Sequence, residues 1–346
     1  AVLEAFSMSN KISNWQDFDT YMRQKLIGGE TAGVKQTGQM IRELQGVMIH
    51  SILSGPKTPL RAIMGTGSAV FTRPMAQSLG GAMQFAGSGF RDTSMLKQSL
   101  ATANAMVQAV PEAFEYFFSR LNSYWAGDLS TIKSRYAEYT VGDSHWDLVR
   151  FWAEDPARTA GEQAAFRVTN LARSANQNGF LTYSTKLMAA TDDAFTMILA
   201  RMRAKEKAMM AAFDAQKSGV VPDITPDLIK NYEAKLYDEI FDPATGGIND
   251  SMLKYARGEA TLTKDLGPLG QSLDDLFNKQ PLLKPFYLFA RTGINGLELS
   301  FKHIPGFNFL VKEFNDIARA RPDDLSSVAK YGIETAEDLV NAKALQ

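Results

Sequence analysis

The sequence predicts an all-α chain, an elongated multi-helix array joined at Gly/Pro hinges with no significant sheet. Apolar residues recur at three- and four-residue spacing over most of its length. No alternating apolar/polar run is long enough to build a sheet, and Ser, Thr, Asp and Asn starts with Gly and Pro stops punctuate the periodic stretches. No repeat at a solenoid period stands out.

In chain order, Asn14 opens a short helix with Trp15, Phe18, Tyr21, Met22 and Leu26 on one side, and Gly28-Gly29 ends it. The next helix carries Met40, Ile41, Leu44, Met48 and Ile52 inward and runs into Gly55-Pro56, where proline removes a donor and glycine frees the backbone. Residues 62–90 are then dominated by Gly, Ala and Ser, a surface that lets other backbones approach closely. Within them, residues 74–90 read as a close-packed helix pair or a helix followed by a loop.

Asp92-Thr93 reads as an N-cap for a long helix with Met95, Leu96, Leu100, Met106 and Val107 inward. Pro111 either kinks that helix or starts a new one ahead of the aromatic cluster Phe114, Tyr116, Phe117, Phe118, Tyr124 and Trp125. Residues 127–159 read as irregular with short helices, and 160–190 as a buried helix with Gly179 as its weak point. Thr191 reads as the cap of the clearest helix, with Asp192 and Asp193 in its positive first turn and Gly219 past its end. Phe195, Ile198, Leu199, Met202, Met209 and Phe213 form its apolar face.

Thr225-Pro226 is a second clean start, followed by a loop over 241–250 and shorter helices. Two prolines between 279 and 286 set up an apolar segment, 286–301. Past Pro305-Gly306 come small helices, one capped at Thr335 with Asp338 three residues on. Three regions follow in chain order: 1–126 with the small-residue segment 62–90, 127–310, and 311–346. The opening residues 1–6 look like a start inside a helix, as in a processed product or the ordered part of a longer polypeptide. They do not resemble a signal peptide.

Composition excludes several function classes. The chain has 346 residues, 45% of them hydrophobic and 22% charged, which suits a folded chain and excludes bulk disorder. A net charge of −1 argues against a general nucleic-acid-coating surface. Without cysteine there is no disulfide and no thiolate metal site. The three histidines lie far apart and belong to no ligand-spaced cluster.

Among candidate chemistries, the uncharged run 74–90 is seventeen residues long and holds four glycines, which is short of a membrane span. Arg201, Arg203, Lys205 and Lys207 are the candidate DNA-facing residues, since 201/205 and 203/207 are each one helical turn apart. A mid-helix charge run is also what a solvated face looks like. No glutamate is followed by serine, as a lytic transglycosylase would have it, and there is no G-x-S-x-G elbow. Gly65-x-Gly67 and Gly80-Gly81 lack the rest of a phosphate loop, so packing explains both pairs. The aromatic cluster reads as core or subunit interface. No catalytic, metal-ligating or cofactor-binding residue is assigned, and no cofactor is expected.

Three motifs together carry a resemblance. They are Leu53-Ser-Gly-Pro-Lys-Thr58 after an amphipathic helix, Thr191-Asp-Asp-Ala-Phe195 opening a basic helix, and Lys284-Pro-Phe-Tyr-Leu-Phe-Ala-Arg-Thr292 before Asn295. Over about residues 40–310 the chain resembles a helical region of very large phage proteins, including the internal virion (ejection) proteins of short-tailed phages. Gly293 stands where that pattern usually has proline, and Arg61 and its neighbours replace an asparagine often seen after the first motif.

The resemblance implies a non-enzymatic structural protein, packed in the virion interior near the portal and sent into the host periplasm or inner membrane with the genome. It would form a ring or tube that conducts DNA as a non-specific cargo. The implied partners are copies of itself, other virion core or portal proteins, and the host envelope membrane. Gly55, Pro56 and Thr58 are the expected hinge, and Pro285, Phe286, Arg291 and Asn295 the expected second latch. Two other readings stand beside it, a fragment of a cell-wall-degrading virion enzyme and a module that inserts residues 62–90 into a membrane.

Overall fold

The computed structural model describes residues 14–31, 34–55, 57–89, 93–127, 146–264, 284–304 and 306–346. The expectations placed on residues 1–6, Pro56, Asp92, residues 279–283 and Pro305 lie outside them. Helix dominates the described residues, and strand is confined there to two short antiparallel hairpins. The all-α class is therefore the class of the molecule.

The chain divides into two compact units drawn from interleaved segments. One comprises Ala1–Thr58, Arg135–Lys186 and Gln271–Leu288, and the other Pro59–Ser134, Leu187–Gly270 and Phe289–Gln346.

In the first unit, helix α1 (Trp15–Ile27) starts where the Asn14 side chain accepts from the Asp17 amide at 2.9 Å. It stops at Gly28, whose φ of 98° suits glycine. The chain then enters a hairpin, β1 (Gly28–Thr31) against β2 (Val34–Thr37), which the sequence reading did not anticipate. Helix α2 (Gln39–Leu53) follows, and later α5 (Trp146–Ala153) and α6 (Ala160–Gln177) complete the packing. Met22, Leu26, Val149, Trp152 and Ala153 form the core of this unit. Thr159 and Glu162 make a capping box at the start of α6, and Glu162 also accepts from Arg23 Nε at 2.6 Å.

The inward face of α2 differs from the expectation. Its buried stripe is Glu43, Gly46 and His50, while Met40, Ile41, Leu44, Met48 and Ile52 are only partly covered. The reason is a polar lock on α6: Asn176 Nδ2 donates to the Glu43 carboxylate at 2.6 Å and to its carbonyl at 2.9 Å. A satisfied buried carboxylate fixes the helix rotation here more firmly than the apolar stripe does.

In the second unit, α3 (Lys57–Gly87) is one helix that passes through Pro74, in place of the expected helix pair or helix–loop. Its small residues do allow close approach. A Cβ on Gly80 would collide with the Ala344 carbonyl, and one on Gly81 would lie 3.2 Å from the Met95 carbonyl carbon. Helix α4 (Ser94–Ala126) likewise runs on through Pro111, with Thr93 at its N-cap position.

Helix α7 (Gly179–Lys217), whose residues up to Lys186 belong to the first unit and the rest to the second, departs most from the expectation. Thr191 does not cap it. The helix is already running, and the Thr191 hydroxyl donates back to the Leu187 carbonyl at 2.8 Å. From Met197 to Met202 almost every residue is buried, and Ala204, Ala208 and Ala212 continue the buried length. Val70, Met106, Ala109, Ala113, Ile240 and Leu253 close around it.

Helix α8 (Pro226–Ile240) begins as expected, Thr225 accepting from the Leu228 amide at 3.2 Å. The loop after it contains the two-residue pair β3 (Phe241–Asp242) and β4 (Gly247–Ile248). Helices α9 (Ser251–Ala260), α10 (Lys284–His303), α11 (Lys312–Arg319) and α12 (Ala336–Ala344) complete the unit. The expected Thr335/Asp338 capping box opens α12, and a second core gathers Met252, Ile317, Val328, Ile333 and Leu339.

Candidate functional site

The basic run on α7 is a structural network within the second unit. Arg203 is buried and reaches three carboxylates: Glu206 at 3.1 Å, Asp250 at 3.3 Å, and Asp338. Two of these sit at helix N-termini: Asp250 is an N-cap that accepts from the Leu253 amide at 2.7 Å, and Asp338 is the third residue of its helix and closes the box with the N-cap Thr335. One guanidinium thus pins the N-termini of α9 and α12 to the middle of α7. Burial pulls the Arg203 pKa down, but the charges of Glu206, Asp250 and Asp338 outweigh it and hold it above the usual arginine range. Glu206 is pushed up by burial, against the pull of Arg203, and Asn341 Nδ2 donates to its carboxylate.

The other three cations are also paired. Arg201 makes a bidentate pair with Glu112 at 2.6 and 3.0 Å and lies 3.7 Å from the Tyr237 ring centre. Lys205 bonds Glu233 and Lys207 bonds Asp250, both at 2.8 Å. In this conformation the run is therefore not the open DNA-facing stripe that its spacing suggested. Position 203 is turned inward, and each charge is met by a carboxylate from elsewhere in the chain.

Two further buried clusters neutralise themselves in the same way. Asp193, expected in a positive first turn, is buried mid-helix. There it accepts from the Tyr124 hydroxyl, with Arg120 at 3.8 Å and Arg257 at 4.0 Å. Burial raises its pKa against those three partners. Lys302 bonds Glu259 at 2.8 Å and Glu313 at 2.6 Å, and Glu313 also takes the Tyr255 hydroxyl and Lys264. Burial acts to raise the Glu259 pKa, yet the surrounding cations, Lys302 first, hold it down at about 2.

The latch residues Arg291 and Asn295 both clasp the turn after α9. Asn295, buried, donates to the Leu262 and Lys264 carbonyls at 3.0 Å each, and Arg291 donates to the Lys264 carbonyl at 3.1 Å and to Thr263. That turn needs holding because Leu262 adopts a positive φ of 55°, unusual for a branched side chain. Pro285 and Phe286 lie in the first turn of α10, and their side chains are outside the described residues. At the hinge, α2 ends at Leu53 and α3 begins at Lys57, with the Thr58 amide donating to the Gly55 carbonyl at 2.9 Å.

Among the described residues no group of three or more His, Asp or Glu could hold a metal ion. A cavity of about 20 Å³ bordered by Arg73, Gln77, Thr102, Arg203 and Glu206 has room for about one water molecule.

The surface is more informative. On α3, Leu60, Met64, Met75, Leu79 and Met83 are each more than half exposed, and on α4 so are Leu100, Val107, Phe114, Phe118 and Trp125. Leu100 and Val107 were expected inward. Instead α4 buries Gln98, Ser99, Thr102, Ala105, Ala109 and Ala113 along most of its length, with Met106, Arg120 and Tyr124 as the large residues on that side. Small and hydrogen-bonded residues let the helix lie close to its neighbours, so the bulky face is left outward. The aromatic cluster is split accordingly, Tyr124 buried and Phe114, Phe118 and Trp125 exposed. No helix among the described residues is long and apolar enough to cross a membrane.

The chain matches no protein-family model, no curated protein and no solved structure.

Proposed function

We propose that this chain is a structural segment of a phage internal virion (ejection) protein. It assembles with copies of itself and with neighbouring virion core or portal proteins into a ring or tube through which DNA enters the host cell. The observation that supports assembly is the pair of exposed apolar faces on α3 and α4. A monomer rarely exposes contiguous apolar patches beyond a few hundred Å², and larger ones mark interaction surfaces. The phage setting and the DNA cargo rest on the sequence resemblance. In this reading Arg201, Arg203, Lys205 and Lys207 hold the fold together, and DNA meets other surfaces.

Electron microscopy of the purified chain, alone and with anionic vesicles, tests the proposal. Closed rings or tubes with an open lumen are expected. Single compact particles under every condition would overturn it.

A second reading has an observation of its own. The exposed α3 stripe is rich in Met and Leu, and its helix carries Lys57, Arg61 and Arg73 and no acidic residue, an apolar face of the kind that meets a partner or a lipid surface. Flotation with vesicles decides it, since a chain left at the bottom of the gradient with and without acidic lipid removes this reading.

A further inference from the structure

The exposed face of α4 has a regular internal spacing. Positions 100, 104, 107, 111, 114, 118, 121 and 125 follow steps of four and three residues without a break, the spacing of a coiled-coil seam. They read Leu, Asn, Val, Pro, Phe, Phe, Leu and Trp. All but Leu121 are exposed, and Leu121 is partly so. The rim positions Gln108, Glu115 and Asn122 are exposed beside it.

We infer that α4 pairs along this seam with α4 of a second copy, antiparallel, about a two-fold axis near residues 112–113. This rests on the assembly reading above and names the contact. Size complementarity is the reason. The N-terminal half of the seam is slender and the C-terminal half bulky. An antiparallel two-fold sets Leu100 against Trp125, Val107 against Phe118, and Pro111 against Phe114, so every layer joins a smaller side chain to a larger one. Parallel pairing stacks Phe on Phe and Trp on Trp at one end and leaves the other end thin, and a core with such voids packs poorly. Asn104 then faces Leu121 one turn inside the end of the paired stretch. On the rim, Gln108 meets Glu115 of the other copy, an amide donor beside a carboxylate.

The area is sufficient. Three aromatic rings and two aliphatic side chains, each more than half exposed, present about 550 Å² of apolar surface per copy. Pairing two such faces hides up to about 1,100 Å² before the rim is added, which meets the roughly 1,000 Å² that a specific interface has to clear.

Since the chain has no cysteine, single-cysteine variants give a clean test. Ala101→Cys and Asn122→Cys lie on the rim, and the antiparallel pairing brings residue 101 of one copy beside 122 of the other. A short bismaleimide should cross-link a mixture of the two variants into a heterodimer and leave each variant alone uncoupled. Residue 101 and its own counterpart would stand about 30 Å apart along the axis. Phe114→Asp and Phe118→Asp should each abolish the mixed product with the circular dichroism unchanged, because both side chains are already largely exposed. Coupling of each variant with itself would show parallel pairing and overturn the inference. No coupling at all, or coupling that survives both Asp variants, would also overturn it. Rings seen with an uncoupled seam sink this contact and leave the assembly reading intact, whereas a coupled seam without rings does the reverse.

Discussion

Replacing Arg203 by alanine should destabilise the second unit by about 3–5 kcal/mol, the usual cost of removing one partner from a buried ion pair. Three carboxylates converge on this guanidinium, at 3.1 Å for Glu206, 3.3 Å for Asp250, and in direct contact for Asp338. The loss does not reach three separate penalties, because each acid keeps something. Asp250 retains Lys207 and the Leu253 amide, Asp338 retains its capping box, and Glu206 retains Asn341. Glu206 bears most of the cost, because burial already pushes its pKa up and Arg203 is first among the charges holding it down. Urea unfolding followed by circular dichroism is the assay. With a urea slope of about 2 kcal/mol per molar, the midpoint of that transition should fall by about 2 M. Lys207→Ala is the control: its side chain is 34% exposed, and it should cost under about 1 kcal/mol. A loss below about 1 kcal/mol for Arg203→Ala, or equal losses for the two variants, would refute the reading of this run as internal scaffolding.

Further tests address other parts of the fold. His50 is buried against Thr185, Nδ1 to Oγ1 at 2.9 Å, and burial, with Lys186 second, lowers its pKa from 6.5 to about 4. A depressed folded-state pKa gives stability that is present above pH 6.5 and lost as the pH falls toward 4. About 3 kcal/mol of the first unit's stability should disappear over that window, and His50→Gln should remove this part of the pH dependence, as read from urea midpoints at pH 7.5 and 4.5. Equal slopes for both chains would contradict it. Gly80→Val should cost about 1–3 kcal/mol and speed amide exchange in α12, because the new side chain meets the Ala344 carbonyl. Asn295→Ala leaves the Leu262 and Lys264 carbonyls without its amide, and should cost about 1–3 kcal/mol with faster exchange at residues 261–264.

Local signals were legible where the chain itself decides the outcome. Asn14, Thr225 and Thr335 cap helices because their side chains satisfy amides three residues on, whatever surrounds them. Gly28 stops a helix for an equally local reason, its positive φ. Thr191 misled because the same residue type at mid-helix turns its hydroxyl back to the preceding turn, and only the distant Tyr124, Arg120 and Arg257 make Asp193 tolerable there. Pro111 left a kink and a new start equally open, and tertiary packing decides it by holding α4 in one helix through Pro111, as it holds α3 through Pro74.

Burial was the hardest property to read. On α2 and α4 the buried stripes are Glu43–Gly46–His50 and Gln98–Thr102–Ala105–Ala109, chosen by hydrogen bonds and close approach more than by hydropathy. Leu100 and Val107 looked inward by their chemistry, yet their spacing from Phe114, Phe118 and Trp125 already traced one continuous face. The acids around Arg203 come from positions 206, 250 and 338, so nothing in the local sequence of α7 announced them.

The most direct measurement is the mass of the intact chain in solution, by sedimentation equilibrium over a wide concentration range, beside Phe118→Asp. If these helices meet copies of themselves, the chain weighs a multiple of 38.1 kDa and the variant falls back toward a single copy. A wild-type mass of 38.1 kDa at every concentration would mean that the apolar faces of α3 and α4 are not where this protein joins another copy of itself.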